Sequence, residues 1–268
     1  MIRETASRLL EKIRRERPII HTITNAVTMN DCANFLLALG ASPIMADSPQ
    51  EAAEITEQCQ GLVLNIGTPS QERFLAMARA GARANALGHP VVLDPVGIGA
   101  SSFRRRETKR LLREVQVSLI RGNFSEIAAL AGLAAGERGV DSSRADREEN
   151  CIELAKSVSQ SYGCAVLLTG RRDIATFRGQ VALIGGGHRD MARITGAGCM
   201  LSAAAGAFAA VCQGDYFRAA WEAALTMKAC GAYAAERCQG TGTMRIYLMD
   251  RASTMTTLDG GDEIEFER

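Results

Sequence analysis

At 268 residues the chain is long enough to bury a full core as one α/β domain or two small ones, and a single domain spanning 1–268 is expected. Its 31 basic and 30 acidic residues leave a formal net charge of +1, which excludes a strong field for collecting nucleic acid or an anionic membrane, and no uninterrupted apolar run reaches a membrane span. The eight cysteines form no C-x-x-C pair and no cluster with the three histidines, so the expectation is reduced, mostly buried thiols in a cytoplasmic protein whose partners are small molecules, not disulfides or zinc.

A charged, helix-like segment opens the chain, with no signal-peptide pattern. Short β-branched runs follow at 18–24, 42–46, 61–67, 90–95, 117–122 and 164–170. Several are apolar on both faces, as parallel strands covered by helices on both sides require. Helices are expected to open at Thr28, at Ser48-Pro49 and at Thr68-Pro69, the last two with Pro at N1. Strand, helix and strand with short links imply right-handed βαβ crossovers. Residues 173–177 and 180–184, split by Arg178-Gly179, read as a hairpin. Helices near 197–213, 215–237 and 243–258 complete the chain, and the acidic tail GGDEIEFER is expected to be loosely held.

Ligands of open α/β sheets sit outside the carboxyl ends of the parallel strands. The residues there are Asn25, Met45, Gly67, Asp94, Arg121-Gly122-Asn123 and Thr169-Gly170, a polar, glycine-rich set. No G-x-x-x-x-G-K-[ST] occurs, and the two G-x-G segments lack a third glycine, so a P-loop is excluded and a Rossmann site is disfavoured. The segment TGAGC (195–199) runs directly into a helix. Gly196 and Gly198 let the backbone converge its amides while the helix start adds about half a positive charge, which together form an anion hole suited to phosphate. The same glycines also serve a plain tight turn. Cys199 sits where the helix-start field lowers a thiol pKa, although a phosphate in the same hole would raise it again and leave a weak base at best. Asn123 and Glu126 form a capping box, and Glu126 with Asp94 from the adjacent strand end has the oxygen donors to share one Mg²⁺.

Together VTMNDCAN, ASPIMA, NIGT, VVLDPVGIGAS, IRGNFSEIAALAG, LLTG and TGAGCMLSAAAGAFAAV resemble the hydroxyethylthiazole kinases, thiamine-pathway members of the ribokinase-like superfamily, in order from about residue 18 to about residue 245. The resemblance implies an α/β fold, a three-layer αβα sandwich around a mostly parallel sheet. It implies ATP-dependent phosphorylation of the primary alcohol of 4-methyl-5-(2-hydroxyethyl)thiazole with Mg²⁺. Gly196, Ala197, Gly198 and Cys199 then form the catalytic anion hole, Cys199 standing at the base position where sugar-kinase relatives carry aspartate. Met45, Gly196 and Asn25 are assigned to the thiazole, Arg121, Thr169 and Asn123 to the nucleotide, and Asp94 and Glu126 to the metal. Trimers with sites near subunit interfaces are implied, with VTMNDCAN placed to contribute across an interface.

This sequence departs from the pattern in three places. Ala197 stands where relatives more often carry Thr, Arg189-Asp190 lies in a segment that is commonly shorter and more apolar, and GTGTMRIYLMD departs from the usual small residues. The rival readings are a kinase for a pyrimidine or other small alcohol, a ribokinase-like hydrate dehydratase, which favours aspartate in the hole, and a noncatalytic nucleotide sensor.

Overall fold

Among the described residues nine strands form one sheet in the order β2-β1-β3-β4-β5-β6-β7-β8-β9. The computed structural model describes residues 2–133, 148–256 and 263–267. The strands are β1 (Ile19–Ile23), β2 (Ser42–Ile44), β3 (Gly61–Asn65), β4 (Val91–Asp94), β5 (Leu119–Asn123), β6 (Ala165–Thr169), β7 (Asp173–Phe177), β8 (Gln180–Ile184) and β9 (Ile264–Glu267). β2 through β6 in that spatial order run parallel, and β7, β8 and β9 extend the sheet antiparallel. Among the described residues the helices are α1 (Ile2–Glu16), α2 (Met29–Leu39), α3 (Ala52–Glu57), α4 (Gln71–Leu87), α5 (Ser102–Glu114), α6 (Phe124–Leu130), α7 (Glu148–Tyr162), α8 (Ala197–Val211), α9 (Tyr216–Arg237) and α10 (Thr241–Thr254).

The expected apolar runs are buried on both faces because each face carries its own core. Along β3, Leu62 and Leu64 join the core under α4 and α5, while Val63 points into the core under α8. The alternation repeats on β4 and β6, as the pleat demands. The α8 side is built from small residues, which allows close approach. A Cβ on Gly206 would stand 2.4 Å from Val63 Cγ2, and one on Gly61 would stand 3.2 Å from the Gly206 carbonyl. The amino end of α8 is thereby pressed onto the carboxyl ends of the central strands.

Three expectations are corrected. Helix α4 is capped by Ser70, whose side chain accepts from the Arg73 N–H, so Pro69 precedes the cap and does not occupy N1. Likewise Ser48-Pro49 forms a turn before the short α3. In both places the Pro-containing segment is held by the loop it belongs to, so the helix begins later. The acidic tail, finally, is not loose where it is described. β9 pairs with β8, and Phe266 makes edge-to-face contacts with Phe217 and Trp221 at 6.2 and 5.6 Å. The alternating Ile264 and Phe266 supply an apolar face that the surrounding acids hide from a composition reading. The helix expected over 243–258 is α10, ending at Thr254; residues 257 and 258, and the tail's 260–262 and 268, lie outside the described residues.

Candidate active site

The carboxyl ends of β1, β3 and β4 meet the first turn of α8 in one buried polar network. Asn65, the last residue of β3, donates through Nδ2 to Asp94 Oδ2 at 2.8 Å and to Cys199 Sγ at 3.2 Å. Asn25, just past β1, donates to the same sulfur at 3.1 Å. Its own Oδ1 accepts from Thr28 N and Oγ1 at 3.2 and 3.0 Å, which fixes the amide orientation. Ser202, one turn into α8, donates to Asp94 Oδ2 at 2.7 Å. The thiol thus faces two amide donors, and among the described residues no imidazole is its partner.

The helix start does not lower the Cys199 pKa. Burial pushes it up, the nearby Asp94 charge adds to the rise, and hydrogen bonds from Thr28, Asn65 and Asn25 only partly offset them. Half a helix charge counts for less than desolvation in a site this enclosed. The thiol is therefore protonated at physiological pH, which leaves little thiolate to take up a proton.

Gly196 caps α8 with φ of 92°, and a Cβ there would meet Thr28 Cγ2 at 2.7 Å. Gly198 lies against Arg121 so closely that a Cβ would stand 2.5 Å from Nη1. Arg121 also donates to Thr169 Oγ1 at 2.9 Å and stands 3.7 Å from Asp94 Oδ2. Ala197, Gly198, Arg121 and Thr169 line a cleft of about 610 Å³, made basic by Arg121, Arg171 and Arg189, while Lys228 on the same wall is paired with Asp173. Met191, from the divergent 188–193 segment, closes one wall. Its sulfur packs where a Cβ on Gly231 would be only 2.1 Å away, so that wall depends on a glycine in α9.

Asp94 is fully buried, and burial pushes its carboxyl up to about 6, against the opposing pull of Arg121. Its Oδ1 has no hydrogen-bond partner among the described residues. Glu126 is occupied at both oxygens, Oε2 accepting from Asn123 N at 2.9 Å and Oε1 from Gly97 N at 3.0 Å. The capping box is therefore real, with Asn123 Oδ1 accepting from Glu126 N at 3.0 Å. Each carboxylate oxygen keeps a further lone pair. Among the described residues no group of three or more His, Cys, Asp or Glu converges.

Most residues expected at the site are brought together here. Asn25, Asp94, Arg121, Thr169 and the 196–199 turn share one contiguous region. Asn123 is exposed beside it with its Oδ1 committed to capping, and Met45 follows β2, half-buried against the α8-side core and outside the cleft wall. Several participants escaped the sequence reading. Asn65 and Ser202 looked like the end of an apolar strand and a small helical residue. The Asp173–Lys228 pair, 3.3 Å apart, holds the turn after β6, with Lys228 also donating to the Arg171 carbonyl at 3.1 Å. Only the pairing of distant elements reveals these roles.

Comparison with known proteins bears on this geometry directly. Residues 10–257 match the hydroxyethylthiazole kinase family. A hydroxyethylthiazole kinase of Clostridium beijerinckii is 43% identical over 254 residues, covering 93% of this chain and 92% of that protein. The chain belongs to the hydroxyethylthiazole kinase family. The structure of a hydroxyethylthiazole kinase protein from Pyrococcus horikoshii superposes with a TM-score of 0.89 at 32% identity, covering 99% of this chain and all of that one. A ribokinase-like superfamily protein from Enterococcus faecalis, at 12% identity and a TM-score of 0.65, shares the fold, a large mostly parallel sheet between helical layers. No helix among the described residues is long and apolar enough to cross a membrane.

Proposed function

We propose that this member of the family transfers the γ-phosphoryl group of ATP to the primary alcohol of 4-methyl-5-(2-hydroxyethyl)thiazole, in thiamine biosynthesis or salvage, through one kinase domain spanning 1–268. The observation that carries this reading is the contact of Gly198 with Arg121, with Cys199 Sγ one residue further into α8. A basic cleft and the buried polar network around Cys199 thereby meet at a single helix start.

In phosphoryl transfer, catalysis is positioning and charge stabilisation, with little covalent work for the protein. Arg121 and Thr169 hold the polyphosphate, beside Asn123 at the same strand ends. The backbone amides of 196–199 face the charge that develops on the transferred group. Asn25 and Gly196 are assigned to the alcohol, with Met45 on the neighbouring loop after β2. The protonated Cys199 thiol, held as an acceptor by two amides, stands beside the hydroxyl as a small polar neighbour, and the alcohol proton leaves to a phosphoryl oxygen or to solvent, since a loose transition state asks little of a base.

The residues fit a Mg²⁺ ion. Asp94 presents an unpartnered carboxylate oxygen inside the site, and Glu126 has lone pairs left for a metal-bound water, the sparse carboxylate set that suits an ion keeping waters and phosphate ligands. When bound, that cation would offset phosphate charge facing Asp94. A homotrimer rests on the family resemblance, with the exposed Val27 at the head of VTMNDCAN, two residues past Asn25, on the segment assigned to the interface. Light scattering of the purified protein tests it. A cytoplasmic location accords with the reduced-thiol composition.

Incubation with Mg-ATP and a panel of thiazole and pyrimidine alcohols tests the function. The expected products are ADP and the thiazole phosphate. Preference for a pyrimidine alcohol would move the assignment within the fold, and absence of ADP with every alcohol would overturn phosphotransfer.

A further inference from the structure

Two helices that border the site begin with the same four-residue device. In α4 the sequence Ser70-Gln71-Glu72-Arg73 places the Arg73 N–H on Ser70 Oγ at 3.1 Å, and in α5 Ser101-Ser102-Phe103-Arg104 places the Arg104 N–H on Ser101 Oγ at 3.2 Å. The third helical position normally favours Glu or Gln, which completes the capping box, and a cation there opposes the helix dipole. Arginine at both positions costs local helix stability, so its reason lies outside the helix.

Each guanidinium turns back onto the loops that leave the sheet. Arg104 donates from Nη1 to the Ile66 and Val96 carbonyls at 2.7 and 2.8 Å, and from Nη2 to the Gly67 carbonyl at 2.9 Å. It thereby joins the exits of β3 and β4. Gly67 presses on Asn25, where a Cβ would come within 2.8 Å, and its N–H holds Asn65 Oδ1 at 2.9 Å. Gly97, next to Val96, holds Glu126. Every loop contact of Arg104 is thus one residue or less from a group that orders Asn25, Asn65 or Glu126. Arg73 works one strand further along. It donates from Nε and Nη2 to Asp47 Oδ2 at 3.1 and 2.6 Å, and from Nη1 to Thr68, whose hydroxyl accepts from Ala26 N at 3.1 Å. That ties the exits of β1, β2 and β3, including the loop that carries Met45.

We infer that Arg104 and Arg73 are positioning residues with divided tasks, Arg104 ordering Asn25, Asn65 and Glu126 around the reacting centre beside Cys199 and Arg73 ordering the loops that receive the alcohol. The inference rests on the phosphotransfer reading of the site. A planar fork can serve three carbonyls at fixed angles, whereas a lysine ammonium serves them only as a point donor, so the conservative variant separates geometry from charge.

Steady-state kinetics of Arg104→Lys and Arg73→Lys test the division. For Arg104→Lys, kcat should fall about tenfold or more, with both KM values within about threefold, because a displaced reacting geometry costs turnover. Arg104→Ala should regain part of its lost kcat with millimolar guanidinium. For Arg73→Lys, the alcohol KM should rise about tenfold with kcat within about threefold. Hydrogen exchange reads the same division without turnover: Arg104→Lys should speed exchange at 66–68 and 95–98, and Arg73→Lys at 46–48 and 68. Wild-type kinetics in Arg104→Lys, losses in both variants that merely follow a lowered Tm with no guanidinium recovery, or unchanged exchange in these loops would overturn the inference. A wild-type protein that makes no ADP while the exchange pattern holds would count against the phosphotransfer reading alone.

Discussion

Cys199 is the residue whose chemistry the surroundings decide. Its sulfur accepts from two amides, and burial keeps it protonated. A carboxylate at the same place would find the same two donors ready, so Cys199→Asp is expected to keep or raise kcat. Cys199→Ala should lower kcat by no more than about tenfold, well short of the 10²–10⁴ that a committed general base supplies. Initial rates of ADP release measure both, and abolition of turnover in Cys199→Ala, with a covalent substrate adduct on the native thiol, would reverse the assignment. Gly198 is tested separately. A methyl group there drives into the Arg121 guanidinium, the movable partner, so Gly198→Ala should raise the KM for ATP about tenfold or more, as loss of a charge-assisted hydrogen bond does. Its Tm should stay within a few degrees of wild type, since the displaced group borders an open cleft.

Among the elements, α8 carries the largest share of the design. Eleven of its fifteen residues are buried, and it meets β3 closely at Gly206, where there is no room for a Cβ. Gly206→Ala would place a methyl 2.4 Å from the stiff, β-branched Val63 and should destabilise the protein by about 1–3 kcal/mol, the usual cost of overpacking. Denaturant unfolding measures this, and a variant as stable as wild type would show that α8 can lift off β3 freely. The capping devices at α4, α5 and α6 could be recognised from local sequence only in part. Asn123-x-x-Glu126 is self-contained, whereas Ser70 and Ser101 cap helices whose third residue is committed to a neighbouring loop.

For the whole molecule, the buried carboxyls Glu222, Asp94 and Asp173 all pull the pH dependence of stability in one direction. Burial raises Glu222 from 4.5 to about 8 and Asp94 from 3.8 to about 6. A carboxyl whose folded pKa lies above its unfolded value holds the proton more tightly in the folded state, so its contribution is full below the unfolded pKa and declines as pH rises towards the folded one. Stability should therefore fall between about pH 5 and pH 8 on account of these two groups. Glu222 lies on α9, fully buried, with Oε1 on Arg218 Nε at 2.6 Å and Oε2 unpartnered among the described residues. Glu222→Gln removes the titration and should narrow the difference in Tm between pH 6 and pH 8. An unchanged difference would place the pH dependence elsewhere.

Local chemistry was enough to announce the parallel sheet, the hairpin of β7 and β8, the glycine-rich start of α8 and the polar residues at the strand ends, because each follows from periodicity, turn residues or caps that act within a few positions. It was also enough for Asp94, Glu126, Arg121 and Cys199 to be singled out. What distant packing settled is how those groups are charged and held. The thiol pKa rises because α8 is driven into the strand ends, Asn65 becomes the bridge between Cys199 and Asp94 because β3 lies between β1 and β4, and the acidic tail becomes β9 because β8 offers an open edge with Phe217 and Trp221 beside it. Burial and hydrogen-bond geometry are properties of neighbours far apart in the chain, and they exist only once the sheet has closed around them.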